Sequence, residues 1–132
     1  MLMLPRDREA RLHVFDLTLE PQQIVDTSEA VAETLKAAGK GGVANRAALI
    51  VEEAFMVVRD RNKGRRILGE VTLDLNDDVR LILRDDGEIF DITDADAAAV
   101  SLRAYLVATL MANQRYRRNL TTSGFNRNIF RL

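Results

Sequence analysis

The stretch from Ile82 to Asp96, ILRDDGEIFDITDAD, gathers six acidic residues around a single glycine, Gly87. Carboxylates crowded in this way bind hard cations, recognise amines or simply solvate a turn. An EF-hand calcium loop needs oxygen ligands at alternate positions before its glycine and a glutamate at its far end. Counted back from Gly87, the first ligand position falls on Ile82 and the third on Arg84, so this is not such a loop. Asp85 has a different claim. It is the next inward position after Val79, Leu81 and Leu83. A carboxylate on a core face must find hydrogen-bond partners, because burying it alone costs several kcal/mol. Gly87 follows two residues later, where the backbone can turn sharply or let a ligand approach. The same two residues also read as a solvated strand end followed by an ordinary turn.

Glu52 and Glu53 form the second acidic feature. At 100° per residue Glu52 points away from the apolar stripe of its helix, whereas Glu53 lies at the margin of that stripe, one turn before Val57. A half-buried glutamate suits a general base, since desolvation raises a carboxyl pKa toward neutrality; a solubilising surface glutamate is the plainer alternative. The lone His13 sits beside Phe15 on a strand face with no second histidine to share a metal. The basic run Arg115-Tyr116-Arg117-Arg118 is expected to close a helix, where cations complement the dipole, with a phosphate-binding patch as the other reading.

The elements that must position these residues follow from periodicity. His13 to Leu19 alternates and reads as a half-buried strand. Pro21 opens a helix with Ile24, Ser28, Val31, Leu35 and Ala38 on one stripe, stopped by the glycines after Ala38. A second helix, from about Val43 to Asn62, carries Val43, Ala47, Ile50, Val51, Ala54, Val57 and Val58 inward, and Gly64 follows as a C-cap. Two alternating strands, ILGEVTLDL and VRLILRD, flank Asn76-Asp77-Asp78 as a hairpin. Thr93 with Asp96 resembles a capping box and opens a third helix to about Tyr116, and GFNRNIFRL supplies a last strand. The expected architecture is α+β, a two-layer sandwich with a mixed sheet and helices on one face, as one domain over residues 1–132.

Composition narrows the function classes. A chain of 132 residues, 47% hydrophobic, is long enough for one real core, and a formal net charge of -1 argues against a dedicated nucleic-acid binder. The absence of cysteine excludes disulfides and thiolate zinc sites. The opening MLMLPRDRE is too short an apolar run for a signal peptide, and no segment reaches the ~20 apolar residues of a membrane span, so a cytoplasmic location is expected.

Taken together, the opening HVFDLTLEPQQIVDTSEAVAETL, the helix ALIVEEAFMVV, the box RDDGEIFD and the ending GFNRNIFRL resemble the ATP-binding domain shared by gyrases, histidine kinases and anti-sigma-factor serine kinases, the Bergerat fold, in its small anti-sigma branch. The resemblance implies that Asp85, with Gly87 and Asn126, would bind ATP or ADP, Asp85 reading the adenine amino group. It implies that Glu53 would activate a water or hydroxyl. Three departures stand out. The asparagine that holds magnesium in the family corresponds to Val57, which offers no oxygen ligand. Where a glycine-rich phosphate lid would stand, the chain reads Ser101-Leu102-Arg103-Ala104, with no glycine between Gly87 and Gly124. Ile89 replaces a second glycine of the aspartate box, and its side chain could fill the pocket. The expected function is therefore a degenerate kinase-like domain used for regulation through a protein partner or a homodimer, with phosphotransfer lost. An active serine kinase would need a substitute metal ligand such as Asp60 or Asn62, and an adenine sensor would dispense with magnesium.

Overall fold

The computed structural model describes residues 11–76, 78–89, 115–118 and 125–132, with 115–118 described by backbone alone. Strand β1 (Leu12–Thr18) leads into helix α1 (Pro21–Ala37), a short 3-10 turn (Gly41–Val43) and helix α2 (Ala44–Arg61). Strands β2 (Leu68–Asp74), β3 (Arg80–Asp85), β4 (Arg115–Arg118) and β5 (Asn126–Arg131) complete the described elements. The sheet order is β1-β2-β3-β5-β4, and each described pairing is antiparallel. The helices pack on each other and against one face of this sheet, an α+β sandwich of two layers.

Each element follows from its sequence. Pro21 occupies the first turn of α1, where its missing N–H costs nothing, and Ile24, Ser28, Val31, Ala32 and Leu35 form the buried stripe. In α2 the expected inward residues from Ala47 to Val58 are buried, joined by Ala44 and Phe55, whereas Val43 belongs to the preceding 3-10 turn and is half-buried. The strand alternation also holds: Val71 and Leu73 of β2, Leu81 and Leu83 of β3 and Phe130 of β5 all enter one core with the helix stripes. Asp74 shapes the turn after β2 by accepting from both the backbone N–H and the side-chain amide of Asn76, at 3.0 and 2.9 Å.

Register places side chains in rows across the inner face. Leu17 lies opposite Gly69, Gly69 opposite Asp85, and Asp85 opposite Asn126. Gly69 belongs in that row because a Cβ there would come within 2.8 Å of Leu19 Cδ2 and 3.4 Å of Phe55 Cε1. The strand thus passes close beneath α2.

One expectation is corrected. Arg115 to Arg118 does not close a helix but forms β4, paired with β5 through Arg115 opposite Arg131 and Arg118 opposite Asn128. Basic residues suit a sheet edge, where charge discourages further pairing, as well as they suit a helix end, and the unpaired side of β5 decides between the two. The third helix expected from Thr93 cannot extend to Tyr116. Its body, with Ser101 to Ala104, lies outside the described residues, as does Asp77 of the hairpin turn. Among the described residues, no helix is long and apolar enough to cross a membrane.

Candidate functional site

Asp85, the last residue of β3, is 2% exposed at the end of the inner sheet face. Its carboxylate Oδ1 accepts two hydrogen bonds, from the Gly87 backbone N–H at 3.0 Å and from Asn126 Nδ2 at 2.9 Å. Its Oδ2 makes no hydrogen bond among the described residues. Burial raises the Asp85 pKa above the ordinary carboxylate value. The bonds from Asn126 and Gly87 pull it back down without cancelling the desolvation, and neighbouring Asp86 adds a smaller upward push. Asp86 itself is structural: its Oδ1 accepts from the Leu68 N–H at 2.9 Å and ties the end of β3 to the start of β2.

Asn126 reaches this carboxylate because β5 pairs with β3 in a register that sets the two residues face to face. The same amide nitrogen donates to the carbonyl of Glu88 at 2.9 Å. It therefore holds both the carboxylate and the turn that follows it. Gly87 is fixed by space, not by backbone conformation, since its φ is not positive. A Cβ at that position would stand 2.7 Å from Asn62 Nδ2 and 3.1 Å from Asp85 Oδ1.

Asn62 closes the cluster from the helical layer. It caps α2 and is 5% exposed. Its Nδ2 donates to the Val58 carbonyl at 2.7 Å, and its Oδ1 accepts from the Glu88 backbone N–H at 2.8 Å and from Arg65 Nη1 at 3.4 Å. An asparagine so engaged has no oxygen left over for a metal, which removes it as the substitute ligand. Arg61 Nη2 adds an ion pair to Glu88 Oε1 at 3.5 Å.

The structure thus brings Asp85, Gly87 and Asn126 together and adds Asn62. Glu53 stands half-buried on α2, in the helical layer and one turn before Val57. Val57 itself is 3% exposed and belongs to the core. The residues present at this position of α2 do not fit a magnesium ion. Asp60 is exposed and lies 3.8 Å from Arg59 Nη1. Ile89 does not fill the turn but stands 54% exposed. His13 is half-buried on β1 opposite Leu73. The structural part played by Asn62 had a visible signal in the sequence: an amide just before Lys63-Gly64 at the end of an apolar helical stripe is a natural helix terminator. Its bond to Glu88, 26 residues away, had none.

No family model matches this chain, and no curated protein matches it in sequence.

Proposed function

We propose that this chain is a kinase-like nucleotide-binding fold turned to regulation through protein contacts, with magnesium-dependent phosphotransfer lost. The observation that carries the reading is Val57. The resemblance asks for an oxygen ligand at this position, and the side chain there is apolar and 3% exposed, packed in the core. Phosphoryl transfer depends on a divalent cation to neutralise charge on the phosphates, and a valine supplies no coordination. Asn62, the nearest substitute, is committed to Val58 and Glu88.

A second reading is favoured by one detail of Asp85. With Oδ1 occupied twice and Oδ2 making no hydrogen bond among the described residues, the carboxylate retains acceptor capacity for an amino group. That chemistry matches an adenine recognised without a metal.

Calorimetric titration of the folded chain with ATP and ADP, first with magnesium and then with EDTA, separates the readings. The expected result is no magnesium-dependent binding. Heat that requires magnesium overturns the proposal and restores the kinase. Heat that survives EDTA and disappears in Asp85→Asn assigns the adenine reading instead.

A further inference from the structure

A concave site apart from Asp85 includes Asn62 in its lining. A cleft of about 300 Å³ opens between the start of α1 and the loop that follows α2, with Glu20 on one wall and Arg59, Lys63, Arg65 and Arg66 on the other. Four basic residues and one acidic residue thus line it, in a chain whose overall charge is slightly negative. We propose that this cleft binds a phosphate monoester, carried by a small molecule or by a phosphorylated side chain.

The loop is built, not merely basic. Gly64 turns it with φ +84°, a conformation that disfavours any residue with a Cβ. Asn62 fixes its start through Val58 and Glu88, and the Asn62 carbonyl accepts from the Arg65 N–H at 3.0 Å. Buried Ile67 anchors its end, where its carbonyl accepts from the Leu19 N–H at 3.0 Å and ties the two walls together.

Carbonyls at the end of a helix ordinarily repel anions. Here those of Val58 and Arg59 already accept hydrogen bonds, from Asn62 Nδ2 and the Asn62 N–H. Arg59 pairs weakly with Asp60 at 3.8 Å, whereas Lys63 and Arg66 have no ion-pair partner among the described residues. Guanidinium groups match phosphate oxygens in geometry, and lysine adds a mobile point charge. The volume suits one phosphoryl group with a few attached atoms, not a nucleic-acid strand. The site does not depend on the nucleotide reading, since Asp85 does not line it.

The test is an NMR titration of the labelled full chain with inorganic phosphate, with O-phosphoserine and with a short phosphoserine peptide, against chloride at matched ionic strength. Saturable shifts centred on residues 62–67 are expected. The double variant Lys63→Gln/Arg66→Gln is expected to weaken binding by about tenfold or more, as loss of two charge-assisted contacts requires. Glu20→Gln is expected to tighten it. Arg46→Gln, an exposed charge roughly 20 Å along α2, serves as a control and leaves it unchanged. Affinity rises from pH 5 to 7 as the monoester takes its second charge near pH 6. Shifts that grow without saturating, that chloride reproduces, or that survive the double variant overturn the proposal. Tighter binding of the peptide than of phosphoserine assigns the source to a protein partner, and equal binding assigns it to a small molecule; both uphold the site.

Discussion

Asp85 bears a carboxyl group where the sheet admits almost no water, and its pH behaviour follows from that. Burial raises its folded-state pKa above the unfolded value, against the opposing bonds from Asn126 and Gly87. Below the ordinary carboxylate range both states hold the proton and the residue imposes no penalty. As pH rises past about 4 the unfolded chain ionises first, so each further step favours unfolding until the folded carboxyl also releases its proton. Stability is therefore lost through the window between the ordinary value and the raised one. Asp85→Asn keeps an acceptor for Gly87 and Asn126 but cannot ionise. Thermal melts should show the variant a few degrees more stable at neutral pH, with the difference from wild type closing in acid. A gap that is constant across pH would show that ionisation of Asp85 does not cause it.

At the scale of elements, α2 owes its ending to one side chain. Replacing Asn62 with alanine leaves the Val58 carbonyl without its partner in a buried setting and the Glu88 N–H without its partner in a partly exposed one. We expect a loss of about 1–3 kcal/mol in urea unfolding, the cost of the one buried orphan, since water reaches the Glu88 N–H. A loss below about 0.5 kcal/mol would mean that water replaces the amide freely. The elements themselves were largely legible in the sequence. Stripes at three- and four-residue steps marked α1 and α2, and alternation marked β1, β2 and β3, because burial on one face leaves a periodic trace. Alternation also carried Asp85 to the inner face without reference to any family. What periodicity could not supply was pairing. Arg115 to Arg118 has no apolar stripe to type it, and its state is set by β5, a partner that the local sequence does not name. The meeting of Asn62 with Glu88 is likewise a product of tertiary register.

At the scale of the whole molecule, one continuous core joins both helices to four strands, with Phe55, Phe130, Ile24, Leu35 and Leu81 among its fully buried side chains. No described element has a separate core to retreat to. Unfolding in urea should therefore be a single cooperative step, with far-UV circular dichroism and methyl NMR signals giving coincident midpoints. Separate midpoints would reveal that the helical layer and the sheet come apart independently. Between those layers sits Asn62, one carboxamide that serves two segments 26 residues apart. The last turn of α2 and the turn after β3 are consequently coupled: opening the helix end releases one of the bonds that hold that turn, while Asn126 keeps the other.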